Sequence, residues 1–333
     1  MKRFSCWFAV LLLLPLLAAC SQAQPGGTTM VTRYDDQASP VQGIAWSPDG
    51  KRIAAALLDG PVAIVDASNG KELARYMGHR QQMGTVAWSP DGKYIASGGM
   101  DKQVQVWDAG SERRLYTHHE QNGSIAALAW SPDSSRVASA SYDGTVQVFD
   151  ALTGAHTLVY RGHSGSVTAL AWSPDGARIA SGGYDDTVQV WSAQTGRTLL
   201  VYRGHTTHIA SLAWSPDGTR IASGSNYPDT RTMQVWTVGD TGNPGNAPKL
   251  LFSYQGVSIS IASIAWSPDG KRLLYADGAN LDMAEASNGN LIFKYTYSQP
   301  DDGQQLPLDM VLWSPTGKSI AFSAVGLIIW QVT

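Results

Sequence analysis

Cysteine is absent from all but the start of the chain: of 333 residues only Cys6 and Cys20 carry a thiol, and both lie in the first twenty. The remainder therefore holds neither a disulfide nor a thiolate metal site. Charge is also scarce, at 15% of residues against roughly 25% in ordinary soluble domains. The polar surface must then be largely Ser, Thr, Gln, Asn and Gly, which favours strands and turns over helices. The net charge is −3, and two units more negative without Lys2 and Arg3, so no basic field exists to hold nucleic acid. No Gly-x-Ser-x-Gly elbow, His-Glu-x-x-His or Gly-rich phosphate loop occurs. What is plentiful is apolar surface, 43% of residues with 34 Gly and 12 Trp. That is enough burial to offset the ordering entropy of a large folded body.

Lys2 and Arg3 precede the apolar run Phe4 to Ala19, and Ala18-Ala19 lead directly to Cys20. This order of charge, apolar run and small residues reads as a secretory leader over residues 1–19. Leu17-Ala18-Ala19-Cys20 resembles the lipobox of bacterial lipoproteins. The resemblance implies cleavage before Cys20, lipidation of that cysteine with three acyl chains, and a stable anchor where one chain would bind only marginally. The alternatives are an uncleaved anchor, the run being just short of the roughly 18–20 residues that span a bilayer, or ordinary cleavage leaving Cys20 free. Residues 20–30 are then the lipidated cysteine and a polar tether, whose ten flexible residues reach roughly 18 Å. The folded body is assigned to 31–333.

Trp-Ser-Pro recurs at Trp46, Trp88, Trp130, Trp172, Trp214, Trp266 and Trp313, with successive spacings of 42, 42, 42, 42, 52 and 47 residues. Each Trp closes an apolar β-favouring run such as Val167 to Ala171, then turn residues, then a second run such as Arg178 to Ala180. Pro presets φ, Asp tolerates the next position and Gly takes the one that needs positive φ. The third copy has Ser134 in place of that Gly, which costs about 1 kcal/mol if the turn is kept; the seventh has Thr316-Gly317 for Asp-Gly. A period-two run follows (Thr187 to Trp191), then a second turn at Asn69-Gly70, Thr153-Gly154, Thr195-Gly196 or Asn288-Gly289, then a fourth run such as Leu199 to Tyr202. Four strands per period of about 42 make a propeller blade, and seven copies make an all-β, seven-bladed β-propeller. A Tyr stands twelve residues before five of the Trp-Ser-Pro strings, at Tyr34, Tyr76, Tyr160, Tyr202 and Tyr254. Tyr34 thus belongs to a fourth strand without a preceding blade, while Leu327 to Val332 is a third strand without a fourth. The N-terminal strand is expected to complete the last blade and close the ring.

With these repeats the chain resembles a bacterial WD-repeat β-propeller. The resemblance implies a buried His, Ser, Asp, Trp tetrad within a blade. It transfers to His79, Ser97, Asp101 and Trp107, and to His163, Ser181, Asp185 and Trp191. The fifth copy matches at His205, Ser223 and Trp236, with an insertion around Asp229. The third keeps Ser139 and Asp143 but has Gln121 and Phe149 at the other two positions. Copies one, six and seven have Gln37, Val257 and Gln304 at the His position; they also resemble looser Trp-Ser-Pro-Asp-Gly repeats of propellers in peptidases and periplasmic translocation proteins.

The aspartates of the Trp-Ser-Pro turns are spaced by whole blades and build no acid/base pair. His118 and His119 are adjacent on or near a fourth strand, point to opposite faces and cannot readily share a metal. No catalytic constellation, metal or cofactor is expected. The resemblance puts the residue before the tetrad Asp at the mouth of the central channel. That position holds Met100, Tyr142 and Tyr184, with Tyr227 close by in the fifth copy and Arg80, His208 and Arg231 as a polar rim. Such a row suits an interface anchor, since Tyr gives contact area at little rotamer entropy; these rings equally suit a merely turn-covering role. The inserts Gly239 to Lys249 and Ser298 to Pro307 are the long departures from periodicity. The expected function is a non-catalytic platform for a protein or peptide partner, lipid-anchored in the cell envelope on the extracytoplasmic side. Alternatives are a small-ligand or carbohydrate-binding propeller, possibly enzymatic, and an envelope assembly factor.

Overall fold

The computed structural model describes residues 28–36, 39–226, 232–239, 247–256, 260–298 and 303–332. Twenty-eight strands, from β1 (Thr28–Tyr34) to β28 (Leu327–Val332), form seven antiparallel four-stranded sheets. Blades 1 to 6 each use four consecutive strands, lying within residues 41–76, 83–118, 125–160, 167–202, 209–255 and 261–296. Blade 7 has the order β26 (Met310–Trp313), β27 (Ser319–Ser323), β28, β1, with Thr28 opposite Val332 and Tyr34 opposite Leu327. First strands neighbour one another around the ring, and that of blade 7 meets that of blade 1. The closure expected from the offset of Tyr34 is therefore formed. One boundary moves: β1 begins at Thr28, so residues 28–30 belong to the sheet and not to the tether, because their backbone pairs with the end of β28. Among the described residues no helix is long and apolar enough to cross a membrane.

Third strands such as Val188–Ser192 are buried along almost their whole length, because a blade packs on each face of them. The repeated turn is held by its own side chains. Ser173 Oγ donates to Asp175 Oδ1 (2.5 Å) and accepts from the Arg178 amide (2.9 Å), while Asp175 Oδ1 also accepts from the Ala177 amide (3.0 Å). Gly176 takes φ +70°, and Ser134 keeps the same turn at +61°; its hydroxyl accepts the Asp91 amide of the adjacent blade at 3.0 Å. Two residues further along, Arg52, Arg136, Arg178 and Arg220 each lie 4.7–4.9 Å over the Trp ring of the following blade.

A second junction was not read from the sequence. Tyr160, at the end of blade 3, stacks on Trp191 of blade 4 (4.4 Å, 6°) and donates to Gln189 Oε1 at 2.6 Å. Gln189 Nε2 in turn donates to the Gly162 carbonyl at 3.2 Å. Tyr76 and Tyr202 make the same clamp on Trp107 and Gln105, and on Trp236 and Gln234. A Cβ on Gly78, Gly162 or Gly204 would fall on the Tyr hydroxyl, which explains the Gly of the Gly-His pair. Blade 2 confirms the reason. There His118 replaces Tyr, stacks on Phe149 (4.0 Å, 11°) and donates through Nε2 to Gln147 Oε1 (2.6 Å). With the shorter ring, Glu120 replaces the Gly. Burial lowers the His118 pKa, in keeping with a neutral donor. Gly162→Ala is expected to cost about 2 kcal/mol by overpacking, read as a lower urea midpoint; an unchanged midpoint would reject the clamp.

Candidate functional site

The tetrads support the face that carries the turns between second and third strands. In blade 4 Trp191 Nε1 donates to Ser181 Oγ (3.1 Å), Ser181 Oγ lies 2.8 Å from His163 Nε2, and His163 Nδ1 donates to Asp185 Oδ2 at 2.9 Å. Burial alone would raise the Asp185 pKa; the bonds from His163, Thr187 and Ser164 overcome it and hold the carboxyl well below its usual range. Blade 2 has the His79 contacts to Asp101 (2.8 Å) and Ser97 (2.9 Å). Trp107 Nε1, however, is buried without a hydrogen bond, so the transferred tetrad is a triad there. In blade 5 His205 and Trp236 both bond Ser223 Oγ (2.7 and 3.1 Å), and Thr232 Oγ1 lies 3.2 Å from His205 Nδ1 where the acid would stand. A hydroxyl brings no charge, and burial pushes His205 down to about 4. In blade 3 Ser139 Oγ donates to Gln121 Oε1 at 2.6 Å.

Above this frame, Met100, Tyr142 and Tyr184 are 53%, 50% and 48% exposed. The structure brings three of the named residues together. Tyr142 meets Tyr184 edge to face at 6.4 Å, Tyr184 stacks on His208 at 4.4 Å and 6°, and His208 Nδ1 donates to Asp186 Oδ1 at 2.9 Å. Asp186 itself holds φ +61°, strain that a functional turn can store. Ser166 Oγ donates to the Tyr142 carbonyl at 2.9 Å, tying blade 4 to blade 3 under the rings. Beside them a recess of about 300 Å³ is lined by Tyr142, Asp143, Arg161 and His163. Met100 takes the matching turn of blade 2, while Arg80 lines a separate 440 Å³ recess with Asp101, Arg114 and His119. Tyr227, Arg231, Gln37, Val257, Asp229 and Cys20 lie outside the described residues.

The central space, about 650 Å³, is lined by all seven first strands and by Trp-Ser-Pro residues of the opposite face. The tyrosines do not line it; their amides donate to the Ser124 and Ser166 carbonyls at the starts of first strands, which puts them on the face opposite the Trp-Ser-Pro turns. Asp309 faces this space, and burial pushes it up to about 6. In blade 6 Asp282 replaces the clamp Gln, and burial pushes it also to about 6 against the pull of Lys294 Nζ at 3.7 Å. Neither acid was singled out from sequence; alignment of blade 6 on the Gln register would have shown the second.

Three family models match the chain: "WDR90, 4th beta-propeller" over residues 82–215, "WD domain, G-beta repeat" over 196–237, and "Anaphase-promoting complex subunit 4 WD40 domain" over 28–83. No curated protein matches it. Repeats, sheet order and matches agree: the chain is an all-β, seven-bladed β-propeller built of WD40 repeats.

Proposed function

We propose that the propeller is a non-catalytic platform for a protein partner, held by lipid on Cys20 at the extracytoplasmic side of a membrane. The observation that carries the first part is the stacked row Tyr142, Tyr184 and His208. Its rings are half exposed yet fixed by a rigid frame, so docking on them costs little side-chain entropy. WD40 propellers generally bind proteins, and a stable complex needs roughly 800 Å² of this face. The leader and Leu17-Ala18-Ala19-Cys20 support the second part.

A photoreactive residue in place of Tyr184 is expected to give a discrete adduct in intact cells. The same residue in place of Lys93, on a Trp-Ser-Pro turn of the opposite face, should give none. Tyr142→Ala with His208→Ala should reduce the adduct at least tenfold. Equal labelling from both faces, or an adduct indifferent to the two substitutions, would reject the platform.

A further inference from the structure

The fourth, outer strand of six blades carries a β-bulge at one register position, opposite the end of the third strand. The bulged residue is always aliphatic: Leu73, Leu115, Leu199, Leu251, Ile292 and Val31 in blades 1, 2, 4, 5, 6 and 7. The residue before it differs. Blades 1, 2 and 4 place Glu72, Arg114 and Thr198 there, whereas blades 5, 6 and 7 place Leu250, Leu291 and Met30. Three consecutive blades thus present adjacent apolar pairs, and all six side chains are between 39% and 52% exposed. Single exposed aliphatics need no explanation, but a repeated pair confined to one arc of the rim does.

The chain outside the structure says what covers this arc. It enters the propeller at Thr28, two residues from Met30, on the edge that bears the Trp-Ser-Pro turns. Only seven residues separate Thr28 from Cys20, a distance that cannot exceed roughly 28 Å. A chain lipidated at Cys20 therefore keeps the blade 7 edge close to the headgroups. Charge does not oppose the approach: the blade 7 turn has Thr316 where the other six have an Asp and carries Lys318, and in blade 6 Lys271 and Arg272 outweigh Asp269, so neither turn is repelled by an anionic surface.

We infer that the outer edges of blades 5 to 7, through Met30-Val31, Leu250-Leu251 and Leu291-Ile292, form a lipid-contacting arc on which the disc leans against its own membrane. This rests on the lipid anchor proposed above. Aliphatic pairs entering the interface would fix the tilt of the disc and turn the tyrosine row away from the bilayer.

The folded body lacks cysteine, and an acylated Cys20 has no free thiol, so one introduced cysteine labels uniquely. The full lipid-bearing chain carrying Leu291→Cys, or Leu152→Cys on blade 3 as control, is labelled with a fluorophore. Both are reconstituted in phosphatidylethanolamine–phosphatidylglycerol vesicles containing a headgroup-depth nitroxide lipid. Quenching at Leu291→Cys is expected to be at least threefold that at Leu152→Cys, and Leu250→Ser with Met30→Ser should remove the difference. Equal quenching of a membrane-bound chain overturns the arc and leaves the anchor standing. In a parallel unlabelled sample of the same vesicles treated with a mild thiol oxidant, disulfide coupling of two Leu291→Cys chains, together with no excess quenching in the labelled sample, shows a second copy on the arc and overturns lipid contact. A wild-type chain that stays in the aqueous fraction overturns anchor and arc together.

Discussion

Trp191→Ala is expected to lower the unfolding free energy by about 4 kcal/mol, the middle of the range for a buried aromatic truncated in a core. Three losses coincide. The ring is fully buried, it is the surface on which Tyr160 of the preceding blade stacks, and its Nε1 donates to Ser181 Oγ within the tetrad. Removing it leaves a cavity at the junction of blades 3 and 4 and takes away the ring on which Tyr160 stacks. The molecule contains the milder control, since Phe149 occupies the same position under His118 in blade 3. Trp191→Phe should accordingly cost about 1.5 kcal/mol, a volume loss and a hydrogen bond without a large void. Urea denaturation measures both, and amide exchange should show faster opening on Val188–Ser192 and Leu158–Tyr160 together. A loss below about 1 kcal/mol for the Ala variant, or exchange confined to one blade, would reject the reading that these rings join neighbouring sheets.

Acid should weaken the fold through His205 at pH values above the ordinary carboxylate range. Its pKa is pushed by burial from an ordinary 6.5 to about 4, so at pH above 6.5 folded and unfolded chains are both neutral there and stability is undiminished. Between 6.5 and 4 the unfolded chain takes up a proton that the folded one refuses, and stability falls as pH falls. Below 4 the penalty levels at about 3 kcal/mol. Asp282 and Asp309 act in the opposite sense: burial pushes both up to about 6, so protonation in the same window favours the folded state. The measurable quantity is therefore the difference between wild type and His205→Gln. Gln is the residue blade 3 uses against Ser139, and it carries no titratable group. Unfolding free energies at pH 7 and pH 4.5 should show wild type losing roughly 2–3 kcal/mol more than the variant. Equal losses would mean that the His205 site is not dry.

The architecture was legible because it is written seven times. The Trp-Ser-Pro period gave the blade, and the orphan Tyr34 gave the closure. The tetrad bonds formed at His163 to Asp185, His79 to Asp101 and His205 to Ser223. One failed although the identities were the same: blade 2 has all four residues of blade 4, yet Trp107 Nε1 is buried without a hydrogen bond, and residue identity does not reveal that. The Tyr, Gln and Gly clamp was present in the sequence as the twelve-residue offset, but a contact between different blades is invisible until neighbouring sheets are placed face to face. For the candidate surface, exposure followed from turn position, since a tyrosine before a turn acid has no strand above it. The stack of Tyr184 on His208 depends on the distance between two blades and was not readable. Arg80, expected on the polar rim, lines a recess with Asp101, the residue after Met100, and not the one beside Tyr142.

Blade 7 has a temporal consequence. Its sheet joins Thr28 to Val332, so a chain made from its N-terminus onward offers β1 before every other strand of the propeller and supplies its partner only after the other twenty-six. Throughout synthesis the growing arc carries two unfinished ends whose backbone groups seek any available ribbon. Joining segments some three hundred residues apart adds only a few kcal/mol of loop entropy. What it imposes is order of events: every earlier blade can pack on its predecessor as it emerges, but the last one waits until Leu327–Val332 has been made.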